Sequence, residues 1–412
     1  MILEIILSIL SFFALAECRV FAPYIDVTQS SAFNLVNYKQ NYGVNTFSLA
    51  FALGGTGGCV PMWGGQTPID DPSIIGPIQQ FRAAGGDIIV SFGGAMGPYL
   101  ESICSSATDL VNAYKKVLSV TGSTHIDVDI EASFPFDNMN QALATLQSQN
   151  PSITVSFTLM VQGDTYGLTD ALGVNVLKNA VSHGVRVDIV NPMTMEFGSS
   201  LSSWGDAVIS AAEATHQQMK GVWPQKSDQD LYAMLGVTPM LGRNFNGKIF
   251  GLTDAQKLVQ WALQKNIGLL AFWSINRDHG CVGGGVSATC SGIDQQDFDF
   301  TKIFVGFANG GTVSPTGPGM TTTPTVSTTA PTTAGTTPQT TTPGSGGSGG
   351  TVICNSGNNG KFYPDPTKCP SATFYQCSNN SPVTMSCGGG TYFNPTANVC
   401  DYTTNVKCPY QG

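Results

Sequence analysis

Short apolar runs rich in β-branched residues recur along residues 20–309, and amphipathic stretches separate them. The amphipathic stretches carry apolar residues at helical spacing, so we expect helices between the runs. One face of such a helix is shared by Val111, Ala113, Tyr114, Val117 and Leu118. The eight apolar runs are predicted strands, with bounds Val20–Ile25, Thr46–Leu53, Asp87–Phe92, Ile126–Ile130, Ile153–Met160, Val187–Met193, Ala233–Leu241 and Ile267–Trp273.

Eight strands, most of them followed by helical sequence, predict an α/β fold of the (β/α)8 (TIM barrel) type over residues 19–310. A doubly wound open sheet is the alternative. It is disfavoured because no Gly-x-Gly-x-x-Gly turn opens a helix after the first strand.

The alternating pattern ends near Gly310. From Thr312 to Gly350 the chain is mostly Thr, Pro, Ser and Gly and has no charged residue, which predicts a flexible linker over 311–350. Residues 351–412 hold six cysteines and few aliphatic side chains, which predicts a small disulfide-rich β module. Zinc binding is the alternative there, but this module has no Cys-x-x-Cys pair and no histidine.

The first 18 residues contain an apolar run that is too short to span a membrane and is typical of a signal peptide. We therefore expect a secreted, extracellular protein with a signal peptide over 1–18. Cleavage is possible after Ala16 or after Cys18, and the second choice leaves ten of the 11 cysteines, an even number. A buried N-terminal helix and a lipid-anchored Cys18 are the less favoured alternatives, the latter because Glu17 precedes the cysteine.

Charge excludes two classes of partner. The chain has 412 residues, 18 Lys plus Arg, and a formal net charge of -9. Without a basic run, neither nucleic acid nor an anionic membrane surface is expected as a partner. We expect a monomer that uses no cofactor and no metal.

Residues 125–131 read His-Ile-Asp-Val-Asp-Ile-Glu. Because side chains alternate along a strand, Asp127, Asp129 and Glu131 share one face and the aliphatic residues share the other. In a barrel the acids point inward, and Glu131 lies at the C-terminal mouth where barrel active sites occur. Burial and like-charge crowding should raise at least one pKa and so provide a general acid. A polar layer or a hard-metal site is the alternative, but neither explains such clustering in a chain with 11% charged residues.

These acids match the last three of the fourth-strand signature Asp-x-x-Asp-x-Asp-x-Glu of family 18 glycoside hydrolases, the chitinases, with Thr124 in place of the first. Residues 91–94 resemble the Ser-x-Gly-Gly motif of that family, and Trp273 resembles its eighth-strand tryptophan. Residues 191–197 are similar to its sixth-strand motif Met-x-Tyr-Asp-Tyr, but Met195, Glu196 and Phe197 replace the last three residues. The resemblance spans the whole of 20–309.

The resemblance implies substrate-assisted retaining hydrolysis, with catalytic roles for three acids. Glu131 would be the general acid, Asp129 would orient the acetamido group of the substrate, and Asp127 would share a proton with Asp129. The implied substrate-binding residues of the barrel are Ser91, Trp273, Glu196, Met193 and Tyr24. Because Met195 cannot donate a hydrogen bond, we expect the sixth-strand clamp on the acetamido group to be missing or supplied by another residue.

Spacing adds two expectations for the barrel. Only about 25 residues separate the seventh and eighth strands, enough for a loop and one helix, which favours an open cleft and endo action. Cys59 and Cys104 follow neighbouring strands, and Cys281 and Cys290 close one Gly-rich loop, so we predict these two disulfides. A reduced catalytic pair is the alternative, but no thiolate-activating motif supports it.

The six C-terminal cysteines and the aromatic residues between them resemble a peritrophin-A-type chitin-binding domain. That resemblance implies the disulfides Cys354–Cys377, Cys369–Cys408 and Cys387–Cys400. Tyr392 and Phe393 are the predicted sugar contacts of this module, and Tyr375 is the predicted core residue. Chitin and chito-oligosaccharides are therefore the expected partners of a chitinase. The alternative is a weakly active or inactive chitin-binding lectin or matrix protein.

Overall fold

The computed structural model describes residues 19–29, 34–281, 285–310, 352–353, 362–378, 381–386, 392–395, 399–401 and 406. The predicted signal peptide over 1–18, which includes Cys18, and the predicted linker over 311–350 lie outside these residues. The chain divides into two compact units between Val313 and Ser314. Each unit is described by itself.

The first unit is a closed barrel of parallel strands, which confirms the predicted fold and excludes the open sheet. From the first strand, pairing runs through the sheet to the sixth strand. Bridges from Val190 to Leu235 and from Met193 to Thr238 reach the seventh strand. The eighth strand then pairs with both the seventh and the first. The barrel strands are β1 (Val20–Phe21), β2 (Tyr24–Asp26), β3 (Thr46–Gly55), β6 (Asp87–Gly93), β7 (His125–Ile130), β8 (Thr154–Gly163), β10 (Ile189–Met193), β11 (Gly236–Val237) and β14 (Leu269–Leu270).

Several barrel strands are shorter than predicted, for physical reasons. The first strand consists of the two pieces β1 and β2, which flank Pro23, a residue without a backbone donor. The predicted start of the seventh strand at Ala233 is wrong, because Ala233 ends the helix Asp228–Ala233. That helix begins at a capping box between Ser227 and Asp230. An apolar run does not by itself distinguish a strand from a short buried helix.

Among the described residues, five short strands follow the carboxyl ends of the barrel strands, and the sequence pattern does not predict them. They are β4 (Gly58–Trp63), β5 (Thr67–Pro68), β9 (Gly167–Leu168), β12 (Gly242–Arg243) and β13 (Ile249–Phe250). The hairpin formed by β12 and β13 lies between the seventh and eighth barrel strands. With the helix Leu252–Lys265 it accounts for that connection.

Helices pack around the barrel, and local sequence sets their ends. In the helix Ala107–Thr121, the Ser106 side chain accepts the Asp109 amide at the first turn, and Gly122 closes the last turn in the left-handed region. Among the described helices, none is long and apolar enough to cross a membrane. The α-helices are Leu35–Tyr42, Pro72–Ala83, Leu100–Ile103, Ala107–Thr121, Phe136–Gln149, Asn175–Ser182, Trp204–Val222, Asp228–Ala233, Leu252–Lys265 and Asp299–Ala308.

The core of the barrel unit lies between the strands and these helices. Ile126, Val128 and Ile130 of β7 are fully buried in it, as their alternation predicts. The acids on the opposite face of β7 consequently point into the barrel. Two disulfides join Cys59 to Cys104 and Cys281 to Cys290, the pairs expected from the sequence.

The second unit is built from short antiparallel strands. β15 (Phe362–Pro364), β16 (Thr373–Ser378) and β17 (Ser381–Ser386) form one sheet, and β18 (Tyr392–Asn394) pairs with β19 (Val399–Asp401).

The core of this second unit contains a pair of stacked phenylalanines. The rings of Phe374 and Phe393 are 4.5 Å apart, and Phe393 is 2% exposed. The prediction that Phe393 contacts sugar is therefore wrong, because its ring is in the core. Tyr375, the predicted core residue, is only half-buried. Cys369 is disulfide-bonded, whereas Cys354, Cys387 and Cys408, one from each predicted pair, lie outside the described residues.

Candidate active site

The register of neighbouring strands sets out the site at the mouth of the barrel. Ser91 of β6 and Ser156 of β8 both stand beside Asp127. One step further toward the mouth, Thr158 of β8 stands beside Asp129. In-register parallel strands therefore bring together residues that are 29 to 36 positions apart in sequence.

Asp127 is buried and accepts hydrogen bonds from four hydroxyl groups. Its Oδ2 accepts from Tyr24 at 2.8 Å and from Ser91 at 2.6 Å. Its Oδ1 accepts from Ser156 at 2.6 Å and from Thr158 at 2.9 Å. Four donors from three other strands satisfy the oxygens of a carboxyl group that is buried inside the barrel. Asp127 is thus held in place beneath the mouth by its neighbours, and its sharing of a proton with Asp129 stays a prediction.

The polar layer around Asp127 continues across the barrel. The Asn191 amide donates to the Thr158 hydroxyl at 2.9 Å and accepts from the Thr238 hydroxyl at 2.9 Å. The sequence left a polar layer and an acidic catalytic site as alternatives. Both are present, because the hydroxyl and amide groups of the layer hold Asp127 through hydrogen bonds.

Asp129 and Glu131 differ from Asp127 because they lack a comparable set of hydroxyl donors among the described residues to offset the cost of burial. Burial, followed by the charges of Glu131 and Asp127, raises the pKa of Asp129 well above its usual range. Among the described residues, Asp129 Oδ1 is buried without a hydrogen-bond partner. Burial also raises the pKa of Glu131 from 4.5 to about 7. The pair therefore holds protons near neutral pH, which suits acid catalysis.

Tyr99 ties the ends of two barrel strands together beside the acids. Its hydroxyl accepts the backbone N–H of Glu131 at 3.0 Å and donates to the Gly94 carbonyl at 2.6 Å. The chain bends at Gly93 with φ of 89°, where a Cβ atom would collide with the carbonyl oxygen of Asp129. Glycine is therefore required at this position by both conformation and space.

Three aromatic side chains form the floor beside the acids. Phe51 stacks on Trp273 with ring centroids 5.6 Å apart, and Tyr24 lies 6.0 Å from Trp273. Trp273 is half-buried, so part of its indole faces the cavity. Burial and the nearby charges of Asp127 and Asp129 raise the pKa of Tyr24, so its hydroxyl stays protonated.

These groups line one cavity of about 340 Å³. Six of the residues proposed from the sequence line this cavity. Ser91 and Asp127 lie behind its wall. Tyr392 and Phe393 belong to the second unit. The remaining wall is largely apolar and includes three further methionines. The lining residues are Tyr24, Phe51, Ala95, Asp129, Glu131, Thr158, Met160, Val161, Met193, Met195, Glu196, Thr238, Met240, Phe245 and Trp273.

Glu196 lines this cavity, but its carboxylate is engaged by the protein. It accepts the backbone N–H groups of Phe245 and Asn246, each at 2.7 Å. Desolvation raises the pKa of Glu196, while those two donors and the Arg277 charge act in the opposite direction. The sequence prediction placed Glu196 near the sugar without predicting this engagement.

Sequence reasoning missed Phe51, Tyr99, Thr158 and Phe245. Thr158 lies two positions after Ser156 on a predicted strand and so shares its face, which means that the period-2 pattern contained a usable signal for it. Tyr99 and Phe245 lie in loops, and nothing in their local pattern distinguishes them from structural aromatics.

The chain matches known proteins in both units. Residues 354–408 match the family described as chitin binding Peritrophin-A domain. The chain is 33% identical over 314 residues to a probable bifunctional chitinase/lysozyme of Escherichia coli, covering 70% of this chain and 34% of the relative. It is 33% identical over 281 residues to Endochitinase 11 of Metarhizium anisopliae, covering 63% and 52%. The chain thus spans about a third and about half the length of these two curated relatives.

A solved structure is similar to most of this chain. It is active domain 2 of a thermostable chitinase from Pyrococcus furiosus, solved as catalytic site mutants complexed with chito-oligosaccharides. The identity is 38% and the TM-score 0.67, covering 71% of this chain and 95% of that domain. The barrel, its inward acids and this similarity lead to one conclusion: the chain belongs to the family 18 glycoside hydrolases, the chitinases, and carries a peritrophin-A-type chitin-binding domain at its C-terminal end.

Proposed function

We propose that this protein is a secreted, endo-acting chitinase that hydrolyses β-1,4-linked N-acetylglucosamine polymers with retention of configuration. The observation that carries the proposal is the pairing of two acids at the mouth. Glu131 has a pKa of about 7, and beside it Asp129 has a buried oxygen without a hydrogen-bond partner among the described residues. One group can deliver a proton, and the other can bind the acetamido N–H of the substrate.

In the proposed reaction, Glu131 donates its proton to the glycosidic oxygen as the bond between the anomeric carbon and that oxygen breaks. The acetamido carbonyl oxygen of the same sugar attacks the anomeric carbon and forms a cationic oxazoline-like intermediate. Asp129 holds the acetamido group in line, and Asp127 beneath it stabilises the positive charge electrostatically. Water activated by the Glu131 carboxylate then opens the intermediate and restores the original configuration.

The decisive experiment is turnover of a soluble chito-oligosaccharide by the wild type and by Glu131→Gln. We expect the variant to lose about 10²- to 10⁴-fold in kcat, the range for removal of a general acid. Comparable rates would refute the assigned role of Glu131. Binding without hydrolysis by the wild type would instead support the alternative of a chitin-binding lectin. Met195 in the sixth-strand motif is the residue that favours this alternative, because it cannot donate a hydrogen bond to the substrate.

Stereochemistry tests the substrate-assisted step separately. Proton NMR of the first product should show the β-anomer, because two displacements at one carbon retain configuration. Initial release of the α-anomer would refute the intermediate while leaving chitinase activity intact.

Endo action is supported by the short connection between β11 and β14, which has room for one hairpin and one helix. The described residues of this connection contain no larger insertion, and one similar protein is named an endochitinase. A soluble chitin derivative should lose viscosity early in digestion, before much reducing sugar appears. Exclusive release of disaccharide from chain ends would contradict the proposal.

The C-terminal module is proposed to bind insoluble chitin and so raise the local concentration of the barrel on the polymer. The match over residues 354–408 supports this role. Deletion of residues 351–412 should weaken adsorption to insoluble chitin and leave turnover of soluble oligosaccharide unchanged. Equal losses on both substrates would refute it.

Secretion is supported by the two barrel disulfides, since such bonds persist in oxidising compartments. Expression in a secreting host should yield a mature protein in the medium whose N-terminus, read by mass spectrometry, is Arg19. Retention of the first 18 residues would contradict the proposed signal peptide.

A further inference from the structure

The hairpin between the seventh and eighth barrel strands carries an aromatic side chain into the cavity of the catalytic acids. Its tip places Phe245 in the cavity wall, where the residue is 48% exposed. Burying such a ring against an apolar sugar face is favourable, so an aromatic residue here has a recognisable use. Ile249 on the same hairpin is 40% exposed but does not line the cavity.

Four hydrogen bonds hold the tip of this hairpin. Glu196 accepts two consecutive backbone donors, at Phe245 and Asn246. The Asn246 side chain in turn donates to the Phe197 carbonyl at 3.1 Å. Within the tip, Lys248 donates its amide to Asn246 Oδ1 at 2.9 Å. Three hydrogen bonds therefore join the hairpin tip to the sixth-strand loop, and the tip donates all three.

The base of the hairpin is also fixed. Arg277 is 1% exposed, and its guanidinium donates to the carbonyls of Leu241 and Arg243 at 2.8 and 2.9 Å and to that of Ser287. Its charge also interacts with Glu196.

Glu196 reaches the tip by adopting a backbone conformation that is uncommon for a residue with a side chain. Its φ is 60°, in the left-handed region. Residues in sparsely populated regions persist where the surrounding structure over-determines them, and they cluster at functional sites. In this conformation the Glu196 carboxylate accepts the two 2.7 Å hydrogen bonds from the amides of Phe245 and Asn246.

We propose that Phe245 is a sugar-binding residue of the cleft and that Glu196 is a positioning residue that acts through it. Phe245 stacks on an N-acetylglucosamine unit of the bound chito-oligosaccharide, and the Glu196 carboxylate fixes the ring by holding the backbone on which it sits. This inference rests on the proposed function, because it takes the cavity to be the chito-oligosaccharide site.

The test measures binding in the Glu131→Gln protein, in which turnover does not interfere. Isothermal titration with chitotetraose and chitopentaose gives the Kd of this parent and of variants made in it. We expect Phe245→Ala and Glu196→Ala each to weaken binding about five- to tenfold, the size of one aromatic contact. Phe245→Trp should keep the affinity, and Ile249→Ala is the matched control that should leave it unchanged.

Two measurements separate positioning from direct contact. The double variant of Phe245→Ala and Glu196→Ala should bind no more weakly than either single variant, since Glu196 acts through Phe245. Amide hydrogen exchange at Phe245 and Asn246 should accelerate in Glu196→Ala, and less in Glu196→Gln, whose amide oxygen still accepts a hydrogen bond.

Additive losses in the double variant would overturn the positioning role and make Glu196 a sugar contact. Unchanged affinity in Phe245→Ala would overturn the binding role. Absence of binding by the Glu131→Gln parent together with absence of turnover by the wild type is a different result, because it would refute the proposed function itself.

Discussion

Glu131, the proposed catalytic acid, should reduce the stability of the folded barrel above neutral pH. Glu131→Gln preserves the shape of the side chain and removes its ionisation. Burial raises the pKa of Glu131 from 4.5 to about 7 in the folded chain. Because one pKa unit corresponds to about 1.4 kcal/mol, ionising Glu131 costs the folded protein about 3 kcal/mol above pH 7. A stability gain in a variant without activity is the expected trade-off.

The sign follows from which state holds the proton more tightly. A folded pKa above the unfolded one makes the contribution of Glu131 to stability fully present below pH 4.5 and lost as pH rises through about 7. The glutamine has no such loss. The advantage of the variant should therefore be near zero at pH 4.5 and grow to about 3 kcal/mol at pH 8.5.

Urea unfolding followed by tryptophan fluorescence measures this difference in the barrel unit. All five tryptophans lie between residues 63 and 273, so the signal does not depend on the C-terminal module. Asp109→Asn is the control with the opposite sign, because hydrogen bonds from Ser106 and Ser105 lower the pKa of Asp109. That variant should be less stable than the wild type at pH 8.5 and match it in acid. Equal stability of Glu131→Gln and wild type at pH 8.5 would refute the reasoning from burial.

Three further changes probe other contacts. Tyr99→Phe removes the hydroxyl that holds the Glu131 amide, so kcat should fall about three- to tenfold with KM within twofold, as steady-state kinetics would show. Replacing the Cys59–Cys104 disulfide by two serines opens a loop with sequence separation 45, and the free energy of unfolding should fall by about 4 kcal/mol. The same replacement at Cys281–Cys290, with sequence separation 9, should lower it by about 3 kcal/mol. Urea unfolding measures both changes. Phe393→Ala should remove binding of the full chain to insoluble chitin by disrupting the module core, with circular dichroism showing lost strand structure.

The barrel and its acids could be predicted because both rest on strand periodicity. Along β7, aliphatic and acidic side chains alternate without interruption, so one assignment fixes which face meets the helices and which faces the interior. The position of Glu131 at the mouth then follows from strand direction. Ser91 and Ser156 lie on the two strands that flank β7, both level with Asp127, so the strand register brings their hydroxyls into contact with its carboxyl group.

The rest of the site depends on contacts that no local pattern encodes. Glu196 and Phe245 are 49 residues apart and belong to two different loops. Tyr99 and Glu131 are 32 apart, and the contact joins a side chain to a backbone amide, which any residue carries. Phe393 was misassigned because aromatic residues of a small disulfide-rich domain serve both as core and as sugar platforms, and sequence alone does not separate the two uses.

The sixth strand shows how departures from a motif are absorbed by the surrounding structure. Beneath the mouth, Asn191 links the hydroxyls of Thr158 and Thr238, so the strand supports the polar layer that holds Asp127. At the mouth, Glu196 turns to the hairpin tip and Met195 adds apolar wall. The sixth strand and the loop after it therefore hold the polar layer and the hairpin tip in place. On this view, orientation of the acetamido group depends on Asp129, whose buried oxygen has no hydrogen-bond partner in the described part of the chain.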